Sequence, residues 1–149
     1  MQLSTKARYA LRAMLELASH YGKGSLQLKE IARRQEISEK YLEQIMYPLR
    51  VKGFVYTQKG SQGGFFLAKP PEEITVYDIA DTMEDSLCPV ACVNKTGDCK
   101  RLHHCALHDV WANLNNTIVS ELKSLKLSDL AKKHEKLAFT AVKQPEYQI

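Results

Sequence analysis

Residues 27–67 read QLKEIARRQEISEKYLEQIMYPLRVKGFVYTQKGSQGGFFL, and this stretch decides the fold. Its apolar spacing predicts a short helix over residues 27–34, then a three-residue connection, then another helix that Ser38 can cap. Two helices joined by so short a turn, the second with a polar N-terminal face, are typical of a helix-turn-helix. Pro48 lies inside the second helix, where it cannot donate to the carbonyl of Gln44, and we expect it to bend that helix.

A β-hairpin is predicted directly after these two helices. Residues 54–57 and 65–68 are rich in the aromatic and β-branched side chains of strands, and residues 58–64 between them contain Lys59 and three glycines. A hairpin in this position forms the wing of a winged helix, whose glycine-rich tip can approach a phosphate or enter the minor groove. A plain surface hairpin is the alternative interpretation.

The flanking sequence extends the helical prediction on both sides. Ser4 can cap a first helix, which Gly22 and Gly24 bring to an end. Beyond the Pro70–Pro71 pair, Thr75 can cap another short helix. The first two-thirds of the chain therefore predicts helices around one hairpin.

A long helix is predicted to begin near Cys105. Its apolar residues recur every three or four positions: Leu107, Trp111, Leu114, Ile118, Leu122 and Leu125. The preceding domain is too small to cover this seam, so a two-fold partner helix is its simplest cover, and packing against its own domain is the alternative. Ser128 can cap a last short helix, and residues 142–149 are predicted to form a disordered tail.

These elements together predict a mainly α fold with a small β-hairpin wing. The predicted architecture is a winged helix-turn-helix domain plus a long dimerisation helix. The predicted divisions are a DNA-binding domain at 1–84, a cysteine-rich loop at 85–104, the dimerisation helix with a short last helix at 105–141, and a tail at 142–149.

The charge distribution separates the two halves of the chain. Residues 1–69 carry 12 Lys or Arg and 5 Asp or Glu, whereas residues 70–149 carry 9 and 12. The first half is therefore a candidate for binding a polyanion such as DNA, although a solvated basic face would give the same count.

The composition, 44% apolar and 26% charged, is ordinary for a soluble globular protein. No apolar run approaches the ~20 residues that span a bilayer, and the first residues lack the apolar centre of a secretion signal, so we expect a cytoplasmic protein without membrane contact. No nucleophile–base pair and no phosphate-cradling loop is found, so we do not expect an enzyme. Clustered cysteines in the reducing cytosol more often bind metal or sense redox state than form structural disulfides.

Four potential metal ligands lie close together in the second half. Cys92, Cys99, Cys105 and His108 follow the spacing C-x6-C-x5-C-x2-H. Three thiols and an imidazole can hold a soft metal centre, and the residues between them are mostly polar and turn-forming. Cys88, four residues upstream of Cys92, is either a bystander thiol or a fourth ligand in place of His108.

The residue types leave three chemistries open for this loop: an iron–sulphur cluster, a zinc ion, or free thiols that form disulfides. Structural zinc sites usually begin with a C-x2-C pair, which is absent here, and widely spaced cysteines suit the larger cluster better. His103 and His104 lie nearby and are interpreted as exposed loop histidines.

The candidate DNA contacts lie on the second helix of the helix-turn-helix and around the wing. Gln44 can pair with adenine and Glu43 can accept from cytosine. Arg8, Lys29 and Lys59 are candidates for phosphate or minor-groove contacts, and an ordinary surface charge is the alternative for each. The complete predicted set is Arg8, Lys29, Ser38, Lys40, Tyr41, Glu43, Gln44, Lys59, Ser61 and Gln62.

Several of these stretches resemble the IscR-type iron–sulphur cluster regulators, a winged-helix family that also includes NsrR and RirA. The resemblance covers roughly residues 1–130. It is carried by STKARYALRAML at 4–15, ISEKYLEQ at 37–44, LRVKG at 49–53, GSQGGFFL at 60–67, and the three cysteines with a histidine.

The resemblance implies a homodimeric transcription factor that binds an operator in double-stranded DNA and controls cluster-assembly genes. It implies that Cys92, Cys99, Cys105 and His108 ligate a two-iron two-sulphur cluster, and that Glu43 distinguishes two operator classes according to cluster state. The gap of six residues between Cys92 and Cys99 is one residue longer than in the best-known members. Related sensors of nitric oxide and of iron use three cysteines without the histidine, so the presence of His108 favours the IscR type.

We therefore expect a dimeric DNA-binding regulator that senses cluster status. A thiol-redox or nitric-oxide sensor on the same fold, with a different cluster or none, is the alternative. A small electron-transfer protein is a poorer explanation, because it would leave the basic winged helix without a role.

Overall fold

The computed structural model describes residues 2–94 and 99–143, with nothing stated for the side chain of residue 143. These residues form six α-helices and one antiparallel hairpin, which confirms the predicted fold class. The helices and strands are α1 Thr5–Ser19, α2 Leu28–Gln35, α3 Glu39–Val51, β1 Val55–Gln58, β2 Gly64–Leu67, α4 Val76–Met83, α5 His108–Ser124 and α6 Leu127–Lys143. Short 3-10 turns occupy Pro71–Glu73, Ala91–Val93 and Leu102–His104.

Local signals place the helix-turn-helix where the sequence predicts it. The Ser38 hydroxyl accepts from the Tyr41 N–H at 3.1 Å and so caps α3. Glu36 ends α2 in the left-handed conformation, with φ of 54°, and turns the chain sharply into α3. Helix α3 continues through Pro48 without a break, so the proline does not end the helix. The bend expected at Pro48 stays a prediction.

The hydrophobic core lies within the winged helix and also takes in the start of α6. Its fully buried side chains come from α1, α2, α3, β1 and α4, together with Ile74 just before α4 and Leu127, the first residue of α6. The largest are Met14, Ile31, Leu42, Ile45, Met46, Leu49, Ile74, Ile79, Leu127 and Val55. Burying one such side chain contributes about 1.5–3 kcal/mol, so the positions of α1, α3 and the start of α6 are fixed by a shared core.

The hairpin, hereafter the wing, is joined to the loop between α1 and α2. Leu26 and Phe65 exchange two backbone hydrogen bonds, of 3.0 and 2.9 Å, and the Ser25 hydroxyl donates to the Gln62 carbonyl at 2.8 Å. A Cβ at Gly64 would lie 2.8 Å from the Leu26 oxygen, so this close approach requires a glycine. The wing therefore has a defined position relative to the helix-turn-helix.

The last two helices differ from the prediction in their boundaries. Helix α5 begins at His108, three residues later than expected. Ser128 does not cap α6: it is the second residue of the helix and is 6% exposed. The helix begins earlier because the Leu127 N–H donates to the Ile74 carbonyl at 2.8 Å. Nor is α6 short, since it extends into the predicted tail as far as Lys143; residues 144–149 lie outside the described part of the chain.

The apolar seam of α5 is only partly covered by its own protomer, since its side chains are half-buried or exposed. No residue of α5 is buried, and Leu107, Val110 and Leu114 are 55%, 51% and 43% exposed. The domain boundaries drawn on either side of the cysteine-rich loop stay predictions. Within residues 2–94 and 99–143, no helix combines the length and apolar character needed to cross a membrane.

Candidate DNA-binding surface and metal-binding segment

The exposed side of α3 carries most of the predicted base-reading residues. Lys40, Glu43 and Gln44 are exposed there, and Ser38 is exposed at the cap. The opposite side of the helix, with Leu42, Ile45 and Leu49, is buried in the core. We call the exposed side of α3 the reading face.

Tyr41 differs from the other predicted contacts on α3. Its ring is half-buried and meets the ring of Tyr9 edge to face, with the centroids 6.0 Å apart. The Arg12 guanidinium lies 5.2 Å from the centroid of the Tyr9 ring on the same helix. Tyr41 therefore helps to hold α3 against α1, a packing role that its sequence position does not reveal.

The tip of the wing lies beside the N-terminal part of α2. Lys59, Ser61 and Gln62 are exposed, and the last two line a shallow cleft together with Lys29. The structure thus brings together three predicted contacts from two separate parts of the sequence. Arg8 lies apart from them, exposed on α1, where its guanidinium donates to the Thr5 hydroxyl at 3.1 Å.

The arginines at the end of α2 are engaged by carboxylates. Glu30 accepts from Arg33 and Arg34, each at 2.8 Å, and Arg34 also bridges to Glu16 on α1 at 3.0 Å. Hydrogen bonds from Arg33 and then from Arg34 lower the pKa of Glu30 from 4.5 to about 2. Arg34 thus joins α1 to α2, and because both arginines are paired, less of the positive charge of the first half is available for DNA than the residue count indicates.

The cysteine-rich segment, residues 88–108, connects α4 to α5. Cys88, Cys92, Cys99 and Cys105 are free thiols of intermediate exposure. Cys92 lies in the turn Ala91–Val93. Cys105 precedes α5, and its carbonyl accepts from the N–H of His108, the first residue of that helix, at 3.2 Å.

Cys88 lies against the same turn as Cys92. Its thiol is 3.9 Å from the carbonyl oxygen of Val93, and its N–H donates to the Ser86 hydroxyl at 3.1 Å. Cys88 therefore lies against the turn that contains Cys92, one of the predicted ligands. His103 and His104 are exposed in the turn Leu102–His104, as expected.

The predicted ligands fit a soft metal centre by chemistry but are not gathered around one point. In the described part of the chain, no group of three His, Cys, Asp or Glu side chains is arranged to hold a metal ion. Residues 95–98, between Cys92 and Cys99, lie outside the described residues. Three thiols and an imidazole remain a donor set typical of zinc or iron–sulphur centres.

Comparison with known proteins gives the class of the molecule. The model of the Rrf2 family, described as an iron-dependent transcriptional regulator, matches residues 3–133. The HTH-type transcriptional regulator CymR of Bacillus subtilis is 37% identical over 131 residues, which cover 88% of this chain and 90% of CymR. IscR of Photorhabdus laumondii is 36% identical over 137 residues, covering 92% of this chain and 83% of that protein.

Solved structures agree with this result. The structure of CymR, the global cysteine regulator of B. subtilis, superposes with a TM-score of 0.76 at 36% identity and covers 89% of this chain and 98% of its own. T. potens IscR gives a TM-score of 0.75 at 36% identity, with 92% and 90% covered.

The fold and its relatives define a helix-turn-helix transcriptional regulator that binds DNA. The chain belongs to the Rrf2 family. Because this family and these relatives are regulators, the prediction that the protein is not an enzyme is confirmed.

Proposed function

We propose that this protein is a cytoplasmic homodimeric regulator whose binding to an operator depends on a two-iron two-sulphur cluster held by Cys92, Cys99, Cys105 and His108. One observation carries the proposal: the cysteine-rich segment leads directly into α5, the helix whose apolar seam is only partly covered. A change in the cluster would alter the geometry between the DNA-binding domain and the dimer helix. The genes under control would include those for cluster assembly.

The DNA contact is proposed for the reading face and the wing. A helix of this kind fits the major groove, and the wing tip, which carries the exposed Lys59, can reach the backbone or the minor groove. The exposure of Lys40, Glu43 and Gln44 supports their role in base contacts. Arg8 and Lys29 are proposed as phosphate contacts.

Dimerisation is proposed through α5. A seam of large apolar residues at helical spacing, with none of them buried, is unfavourable in water unless a partner covers it. A two-fold axis would bring two copies of the seam together and place two reading faces on one palindromic operator.

The cluster assignment is supported by donor chemistry and by the similarity to IscR proteins. His108 is the first residue of α5, and the extended Cys105 lies three positions before it, joined to it by the 3.2 Å hydrogen bond from the His108 N–H to the Cys105 carbonyl. A neutral imidazole in place of a thiolate raises the reduction potential of the cluster. When bound, the cluster supplies a cross-link that is sensitive to iron supply and to oxidation.

The test of the cofactor is anaerobic purification followed by a visible absorption spectrum and assays of iron and acid-labile sulphide. We expect a coloured protein with iron and sulphide in equal amounts, and loss of colour in Cys92→Ser. Zinc without sulphide, or metal-free protein after purification without oxygen from iron-replete cells, would contradict the cluster.

A thiol-based regulator without a cluster is the second candidate. It is favoured by the position of the Cys88 thiol against the turn that holds Cys92, and by an identity to CymR that equals the identity to IscR within a point. This candidate predicts that mild peroxide changes DNA binding of iron-free protein, and that replacing Cys88 and Cys92 abolishes the change.

A further inference from the structure

The reading face continues beyond the residues that the sequence singles out. Tyr47 is 60% exposed, an unusual state for so large an aromatic side chain. At about 100° per helical residue, Tyr47 lies about 20° from Lys40 and about 40° from Glu43 around the axis of α3. The side of α3 that carries the predicted base contacts therefore carries Tyr47 as well.

Tyr47 is paired with an exposed cation from the next turn of α3. The Cζ atom of Arg50 lies 5.7 Å from the centroid of the Tyr47 ring, within the range of a cation–π contact. Both side chains line a cleft of about 250 Å³ together with Glu43, Met46 and Phe65. Because Phe65 belongs to β2, the Tyr47–Arg50 pair borders the cleft between α3 and the wing.

The distance along α3 indicates which part of DNA this pair would meet. A rise of ~1.5 Å per residue places Tyr47 about 10 Å and Arg50 about 15 Å beyond Lys40. The major groove is about 12 Å wide, so a helix that reads bases near Lys40 reaches the edge of the groove near Tyr47. The groups at that edge are phosphates, which a guanidinium fork and a phenolic hydroxyl both bind well.

We propose that Tyr47 and Arg50 form a phosphate clamp on the DNA backbone where α3 leaves the major groove. The ring of Tyr47 orients the Arg50 guanidinium, which donates to a phosphate oxygen, and the Tyr47 hydroxyl donates to the same phosphate. A contact of this type sets the depth and register of α3 and carries no base preference. The inference rests on the proposed use of α3 as the DNA-reading helix.

The test measures fluorescence anisotropy with anaerobically purified full-length protein and two labelled duplexes: one that the wild-type protein enriches from a random pool, and one with the same bases shuffled. Arg50→Ala is expected to weaken binding to both duplexes about tenfold for each bound protomer, as for one charge-assisted hydrogen bond. It should also flatten the plot of log affinity against log salt by about one unit for each bound protomer.

The Tyr47 variants separate the ring from the hydroxyl. Tyr47→Phe keeps the ring beside Arg50 and removes only the hydroxyl, so the salt slope should be unchanged. Affinity should fall about threefold, which is the lower end of what a single hydrogen bond contributes. Tyr47→Ala releases the guanidinium, so its effect and that of Arg50→Ala should not add in the double variant. Both side chains are exposed, and thermal unfolding midpoints should match the wild type.

The matched control is Lys52→Ala. It removes the same charge two residues further on, but at about 200° around the helix axis from Arg50. Less than a twofold change is expected. Normal affinity and salt slope in Arg50→Ala would overturn the clamp, and a loss confined to the enriched duplex would overturn it in favour of base reading. A wild-type protein that enriches no duplex from the random pool would overturn the proposed function as well.

Discussion

Leu114→Lys in the middle of the α5 seam should convert the protein from a dimer to a monomer. Leu114 is 43% exposed in the protomer, so a partner would bury nearly half of its surface. Full burial of a leucine contributes about 1.5–3 kcal/mol, and covering the exposed part contributes about 1 kcal/mol for each copy.

The lysine adds a cost of its own. An ammonium group in an apolar seam loses hydration, although its long stem lets the charge reach towards water, so we assign about 1 kcal/mol per copy. With two copies in a two-fold interface, the dimer loses about 4 kcal/mol, which raises its dissociation constant about a thousandfold.

The assay is sedimentation velocity at protein concentrations between about 1 and 100 µM. A dissociation constant at the lower end of this range corresponds to a binding free energy of about 8 kcal/mol. The matched control is Asn116→Lys, which adds the same charge to the exposed, polar side of α5 and should leave the dimer intact. Any fall in the thermal midpoint should come from the lost dimer contact and should depend on protein concentration, because no residue of α5 is buried in the protomer. A wild-type monomer throughout this range, or an unchanged dimer in Leu114→Lys, would refute the reasoning.

Three further predictions follow from the site. Lys59→Ala should weaken binding to all duplexes and flatten the salt dependence by about one unit per bound protomer, and an unchanged slope would remove Lys59 from the contacts. Cys88→Ala should keep the visible spectrum of the cluster, His108→Ala should make the cluster labile, and His108→Cys should retain it at a lower potential; bleaching by Cys88→Ala alone would instead indicate four cysteine ligands. Glu30→Gln should be less stable than the wild type above pH 4.5, because the arginines stabilise the ionised carboxylate of Glu30 in the folded state and so lower its pKa. The difference in stability should vanish as the pH falls through about 2. Thermal unfolding of both proteins across this pH range measures the difference in stability. A difference that does not depend on pH would show that the carboxylate charge is not involved.

The sequence predicted the helix-turn-helix and the wing well because their signals are local. Ser4 and Ser38 cap their helices as expected, and the two strands lie within one residue of the prediction. Ser128 misled because a serine before an apolar run normally marks a helix start. Here the backbone bridge between Thr75 and Lys126 fixes the start of α6, and only the tertiary fold contains that contact.

The site was predictable in its residue types and less so in its geometry. The spacing of Glu30 with Arg33 and Arg34 is visible in the sequence, but the bridge from Arg34 to Glu16 depends on the angle between α1 and α2. Tyr41 was predicted as a DNA contact from its position on α3. That its ring also packs on Tyr9 depends on how α3 lies against α1, which the spacing of residues in the sequence does not show. Convergence of the cysteines depends on the bound centre as well as on the chain, because ligands separated by polar turns have no packing of their own to gather them.

The most direct test of cluster control compares operator affinity in one preparation of the dimer before and after the cluster is removed anaerobically with a chelator. Coupling between a ligand site and a DNA-binding surface typically changes affinity about 5- to 150-fold, and we expect a change of that size for at least one duplex enriched from a random pool. The change should disappear in Cys92→Ser, which cannot hold the cluster. Equal affinities of the cluster-bound and cluster-free dimers for every enriched duplex would contradict the account.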